Sequence, residues 1–340
     1  MQIGKVPNHI LDRIVLGKIR SRDSRVLSSS GIGEDCGVLD LGDNHCIVSS
    51  DPITGAAEDI GKIAVHVACN DIATCGVRPV ALMSTVLLPP GASEAELEAV
   101  MDDIVGTADS IGVSVIGGHT EVTDAVSRIV VSLTSIGIAR PGGYVTSKGA
   151  RAGDTIVMTK QAGLEGTAIL AAEGRGELEA RFGAAFVEEA VRLKRELSVI
   201  AEGVLAGGLS AHAMHDVTEG GVYGAVWELA EASGKGARVH RDRIPVLGVT
   251  RDVCRHFGID PYRLVSSGSM LIATDRPGEM IAALEASGVA AAAIADVLAD
   301  PAERFVAPGA GGAGREALEP LEPPGPDELY RATRKLRGLD

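Results

Sequence analysis

Val80–Ile116, VALMSTVLLPPGASEAELEAVMDDIVGTADSIGVSVI, reads as strand, turn, helix and strand. Val80 to Leu88 is rich in leucine and β-branched residues and stops at Pro89-Pro90-Gly91. Ser93 is a good N-cap, and Glu94, Glu96 and Glu98 suit the positive end of a helix running to about Ser110. Val113 to Ile116 forms the next apolar strand. Upstream, Ile60 to Cys75 follows a helical pattern that ends at Gly76, and downstream Ile129 to Ile138 gives another strand. Further towards the N-terminus, Val38-Leu39 and His45–Ser50 flank the turn Gly42-Asp-Asn, a hairpin with Asp35 just before it and Asp51 just after it. A short amphipathic helix around Ile10–Leu16 is expected to pack on this unit. The first half is therefore a mixed α/β unit with an antiparallel component, not a simple run of βαβ repeats.

At 340 residues the chain exceeds the size at which one hydrophobic core stops growing. The turn-rich stretch from Ala139 to Asp154 supplies the boundary, giving a first domain at 1–148 and a second at 149–305. The second holds strands at Thr155–Thr159, Ala211–Met214, Ala237–His240, Ser269–Ala273 and Ala291–Val297. Helices are expected from about Gly166 and Ala184, at Glu219–Ala232 and at Pro277–Ser287. The Pro-, Gly- and Ala-rich run from Val306 to Pro326 reads as a flexible or surface-hugging tail, and Asp327–Leu336 as a short helix, so the tail spans 306–340. The fold class is α+β, two α/β domains.

The balance of 32 basic against 46 acidic residues, a net charge of -14, argues against nucleic acid as a partner. It does not exclude a nucleotide carried by divalent metal between carboxylates. Cys36, Cys46, Cys69, Cys75 and Cys254 show neither paired nor regular spacing, so neither a disulfide framework nor a zinc site is expected, and a reducing cytoplasm fits. No signal core and no apolar run of membrane-spanning length is visible.

Acids at the edges of strands carry the chemistry: Glu34, Asp35, Asp51, Asp71 and Glu121. A magnesium triphosphate site requires such oxygen ligands, although each acid alone is equally ordinary turn chemistry. Gly117-Gly118-His119-Thr120-Glu121 follows the strand Val113–Ile116; it is either a close backbone approach to a ligand or a tight turn. His215-Asp216-Val-Thr218-Glu219-Gly220-Gly221 opens a helix, as an anion site or a plain cap. Gly163-Leu-Glu-Gly166 is a weaker phosphate-cradle pattern, and Ser266-Ser-Gly-Ser269 is either a substrate loop or a flexible turn. Walker A, Rossmann, GxSxG, HExxH and kinase signatures are absent.

Taken in order, Gly33-Glu-Asp-Cys-Gly-Val, Ser49-Ser-Asp-Pro-Ile, Asn70-Asp-Ile-Ala-Thr-Cys-Gly-Val-Arg-Pro, Gly117-Gly-His-Thr-Glu and His215-Asp-Val-Thr-Glu-Gly-Gly resemble the aminoimidazole ribonucleotide synthetase (PurM-like) superfamily. That group also contains thiamine-monophosphate kinase, selenide water dikinase and HypE. The resemblance covers roughly Ile3 to Val297. It implies a homodimer whose first-domain strands pair across the twofold axis, with ATP in a cleft nearby. By motif, Asp35, Asp51, Asp71 and Glu121 are the expected Mg2+ ligands. Nucleotide contacts are expected from these four and from Asn70, Gly117, Gly118 and Asp216. The implied chemistry is transfer of the ATP terminal phosphoryl group, commonly to an amide or carbonyl oxygen.

The wording of the Gly117 and His215 motifs is nearest to HypE, which works through a cysteine at its extreme C-terminus. This chain ends Lys335-Leu-Arg-Gly-Leu-Asp340 and its last cysteine is Cys254, so that reaction on its own tail is not expected. No Cys-Gly-x-Lys motif precedes Gly31, which argues against selenide chemistry. The resulting expectation is a Mg-ATP-dependent enzyme acting on an amide, carbonyl or carbamoyl oxygen of a small or protein-bound acceptor, its catalytic residue unassigned. The alternatives are a non-catalytic ATP-binding dimeric module and a thiamine-monophosphate kinase-like phosphotransferase.

Overall fold

The computed structural model describes residues 4–28, 31–53, 59–307 and 318–338. The first unit contains α1 (Asn8–Ile14), β1 (Val26–Ser28), β2 (Gly37–Asp40), β3 (His45–Ile53), α2 (Ile60–Thr74), β4 (Pro79–Leu88), α3 (Glu94–Ser110), β5 (Ser114–Val122) and β6 (Val130–Ala139). Its sheet runs β1-β2-β3-β6-β4-β5, antiparallel except for the parallel pair β4 and β5. A parallel pair needs a crossover, and α3 supplies it. The helix starts as its sequence requires, with Ser93 Oγ accepting from the Glu96 amide and the Glu96 carboxylate accepting from the Ser93 amide. The α1 helix has no fully buried residue, and Asn8, Ile10 and Leu11 are half-buried.

Two local expectations change here. Asp51 lies inside β3 rather than after a strand. Gly117–Glu121 also lie within a strand rather than at its end, because β4 offers a ten-residue partner and pairs Met83 to Leu87 with Gly117 to Glu121. Gly118 has φ 154°, and a Cβ there would lie 1.8 Å from the Ser84 carbonyl oxygen. The glycine thus permits close strand packing.

The second unit contains β7 (Thr155–Thr159), α4 (Leu164–Glu173), α5 (Arg175–Phe182), α6 (Ala184–Arg192), α7 (Ile200–Gly207), β8 (Ala211–Asp216), α8 (Gly221–Ala232), β9 (Gly236–His240), α9 (Gly248–Phe257), β10 (Met270–Thr274), α10 (Pro277–Ala286), β11 (Ala291–Leu298), β12 (Arg304–Ala307), β13 (Glu319–Pro320) and α11 (Glu328–Leu336). Its sheet order is β13-β12-β9-β11-β7-β10-β8, with β12 and β9 its parallel pair. The stretch read as a tail contributes to this sheet through the end of β12 and through β13, and Leu321 is buried; residues 308–317 lie outside the described residues. Both units are mixed sheets with helices, the α+β architecture expected.

One buried cluster spans the two units, joining Ala64, Leu82 and Leu133 to Val157, Met214 and Ile272. Asn70, inside α2, fastens the same junction. Its Nδ2 donates to the Leu197 carbonyl at 2.7 Å and its Oδ1 accepts from the Val199 amide at 2.9 Å. No described helix is long and apolar enough to cross a membrane.

Candidate functional site

A cleft of about 1430 Å3 is walled by both units, by the N-terminal segment and by α11. Asp35, Asp51 and Asp71 line it from the first unit, Asp216 and Glu165 from the second. The loop carrying Asp35 lies hard against α8: Gly33 has φ 74°, and a Cβ there would come within 2.6 Å of the Glu228 carbonyl oxygen. Only glycine tolerates both conditions, so the Gly33-Glu34-Asp35 motif is a clamp that aims its acid.

Asp35 accepts from Thr74 Oγ1 at 3.1 Å and lies 2.8 Å from His215 Nδ1 through its Oδ1. The other imidazole nitrogen, Nε2, lies 3.3 Å from Glu228 Oε2. An imidazole donates from both nitrogens only when protonated. Burial opposes that charge, yet Asp35 and Glu228 together hold the His215 pKa well above its usual value. Burial likewise works against ionised Glu228, but Lys5 and His215 outweigh it and lower its pKa. Lys5 Nζ reaches Glu228 Oε1 at 3.8 Å and Thr218 Oγ1 at 3.3 Å.

Asp71 projects from α2 and accepts from the Ser49 hydroxyl. Burial, then the charges of Asp51 and Asp216, push its pKa well up. Asp216 is pushed up to about 7 by burial and by Asp35, and its Oδ2 has no partner among the described residues. Crowded carboxyls of this kind favour either a shared proton or a divalent cation. Among the described residues, ligand atoms of Asp35, His215 and Asp216 lie within 4.8 Å of one another. Both nitrogens of His215 already face acids, so the donors left for a hard cation are carboxylate oxygens. The residues fit Mg2+ on that count.

The structure therefore brings together Asp35, Asp51, Asp71 and Asp216 and leaves the other expected residues elsewhere. Asn70 spends both ends of its amide on the Leu197–Val199 backbone rather than on a ligand loop. Gly117, Gly118 and Glu121 sit on the exposed edge strand β5 and are not among the residues lining the cleft. Glu121 Oε2 lies 3.0 Å from His119 Nε2.

Two glycine patterns read as anion sites have their amides occupied. At Gly163–Gly166, the Gly163 amide donates to Ser266 Oγ at 2.6 Å and the Gly166 amide to the Val265 carbonyl at 3.0 Å. At the start of α8 the Gly220 amide donates to Asp327 Oδ2 at 2.7 Å, so the anion there is the chain's own carboxylate. Asp327 Oδ1 also accepts from Val265 and Leu329, which pins α11 across the cleft. Ser266, Ser267 and Ser269 are buried, so their loop is not a flexible surface turn. Sequence reasoning missed Glu228, Glu165 and Asp327 as cleft residues. For Asp327 the sequence signal was only that of a short helix over Asp327–Leu336; its role as N-cap of α11 and as acceptor in the cleft comes from the structure.

Comparison with known proteins matches residues 33–139 to the AIR synthase related protein N-terminal domain and 151–307 to the corresponding C-terminal domain. The carbamoyl dehydratase HypE of Azotobacter vinelandii is 30% identical over 271 residues, 78% of this chain and 76% of that protein. The chain belongs to the AIR synthase-related family. Within this family it is also similar to a Methanocaldococcus jannaschii protein named for hydrogenase expression and formation, 28% identical over 285 residues, 80% of this chain and 81% of that one. The crystal structure of hydrogenase maturation protein HypE in complex with ATP superposes with a TM-score of 0.66 at 23% identity, covering 95% of this chain and 96% of that chain. This AIR synthase-related chain thus shares its fold with a protein whose crystal structure contains bound ATP.

Proposed function

We propose that the protein is a Mg2+- and ATP-dependent enzyme that transfers the terminal phosphoryl group of ATP to an oxygen of an amide, carbonyl or carbamoyl acceptor, small or protein-bound. One observation carries this reading: Asp35, Asp51 and Asp71 from the first unit and Asp216 from the second converge in a cleft large enough for a nucleotide and a second substrate. The family membership and the ATP complex of HypE support it.

In this reading Asp35, Asp51 and Asp71 hold Mg2+, and Asp216 faces the nucleotide from the second unit. Bound there, the ion supplies charge neutralisation for the phosphates. The chain's own part is positioning. Thr74 and His215 fix the Asp35 carboxylate, and Ser49 fixes that of Asp71. Gly117, Gly118 and Glu121 enter the site only through a second copy of the chain. The β5 edge, on which Ile116 and Val122 are exposed, is the face we assign to that homodimer.

The test is ADP release by purified protein with Mg2+ and a panel of amides, carbamoyl compounds and thiamine monophosphate. Acceptor-stimulated ADP release that collapses in Asp51→Asn and Asp71→Asn is the expected result. ATP binding without turnover across the panel would favour a non-catalytic nucleotide-binding module instead.

A further inference from the structure

We propose that the second-unit wall of the cleft, centred on Glu165, is a recognition subsite for a protonated amine on the phosphoryl acceptor. This rests on the phosphoryl-transfer reading and adds the charge of the second substrate to it.

Glu165 lies in the first turn of α4 and lines the cleft. An acid in a first helical turn commonly just answers the helix dipole from a solvated position. Glu165 is not solvated: it is 8% exposed, and its Oε2 has no hydrogen-bond partner among the described residues. Ser267 approaches it with hydroxyl and amide, while the largest charges acting on it are those of Asp327 and Glu219, both acidic. Burial foremost, then those charges, push its pKa up to about 7.

The neighbouring acids have already found donors. Asp327 takes three backbone amides, and Glu219 accepts from the Tyr330 hydroxyl. Of these three acids Glu165 is therefore the one with accepting capacity left over, and although Lys5, Arg128, Arg331, Arg334 and Arg337 also line the cleft, its acids outnumber them. A buried acceptor without a donor is a costly arrangement, and such groups cluster where a ligand supplies the missing half. The sign of the charge then selects the ligand. An anion is repelled, and a neutral hydroxyl contributes one hydrogen bond without charge. An ammonium group brings up to three donors and the compensating charge. Because this wall and the four aspartates share one cleft, an amine held at Glu165 keeps the rest of its molecule in the cavity proposed for ATP.

Three probes of matched size isolate the charge: ethanolamine, ethylene glycol and glycolate, each titrated into the full chain and followed by ligand-detected NMR. Ethanolamine alone is expected to bind the wild-type protein, and about tenfold more weakly to Glu165→Gln. Equal binding of ethylene glycol or glycolate, no binding of ethanolamine, or unchanged ethanolamine binding by Glu165→Gln overturns the proposal. Probe selectivity is read on the wild-type chain and survives a variant that fails to fold. Mg-ATP affinity, measured separately by calorimetry, separates the two ideas. Its absence sinks the phosphoryl-transfer reading, whereas intact ATP binding without amine selectivity sinks only the subsite.

Discussion

At the cleft wall around Asp35, that acid shares a protonated His215 with Glu228, whereas at the wall around Glu165 a buried carboxyl has the acids Asp327 and Glu219 as the largest charges acting on it. The residue types are alike, but their electrostatic solutions are opposite. Where an internal cation is fixed by packing, the carboxylates stay ionised and hold a defined geometry. Where acids dominate the surroundings instead, burial raises the pKa and leaves capacity for an external donor. Each wall can be disturbed by itself, which makes the contrast measurable.

The largest effect on stability should come from His215→Ala. It leaves Asp35 a buried acid without its cation and Glu228 with Lys5 alone, and breaking such an arrangement costs about 3–5 kcal/mol. Denaturant unfolding of wild type and variant measures this. The folded pKa of His215 is raised, so its stabilisation is complete below the unfolded value and disappears as pH rises through the folded one. A His215→Ala protein as stable as wild type at neutral pH would remove the ion-pair account of the first wall.

The second wall predicts a pH dependence of the opposite origin. Glu165 at about 7 and Asp327 at about 6 keep protons in the folded state that the unfolded chain releases near the ordinary carboxyl values. Unfolding free energy should therefore fall as pH rises from about 4.5 to 7, with Glu165 contributing on the order of 2–3 kcal/mol. Glu165→Gln should flatten that part of the slope, as followed by chemical denaturation at several pH values.

Asp327→Ala removes the acceptor of three backbone amides and should cost about 1–3 kcal/mol, with faster amide exchange along α11. At the small end, Glu121→Gln on the exposed β5 edge should change stability by less than about 0.5 kcal/mol. A loss of acceptor-stimulated turnover in that variant would instead support the partner-supplied role assigned to Glu121.

Elements with local signatures were legible in the sequence. The capping box of α3 and the β2–β3 hairpin are written within a few residues, and the ordered acidic motifs selected four residues that do line one cleft. Gly117–Glu121 was misplaced because a glycine pair reads locally as a turn, while its strand geometry depends on β4, whose paired residues lie 34 positions earlier in the chain. The anion sites at Gly163–Gly166 and Gly220–Gly221 failed for the same physical reason. Whether an amide at a helix start is free depends on what the rest of the fold places against it, here Ser266, Val265 and Asp327. Asn70 belongs with these, since its buried amide answers a backbone 127 residues away. Glu165 stood inside one of the motifs, but only its burial reveals that the pocket favours a cation.

The most direct test of the central claim is a calorimetric titration of the wild-type chain with ATP, first with Mg2+ and then with the metal chelated. The four aspartates predict saturable one-site binding with Mg2+ that is lost on chelation, since the triphosphate would then face their carboxyls without the ion between them. Binding of equal affinity without divalent metal, or its persistence unchanged in Asp71→Asn, would contradict the account.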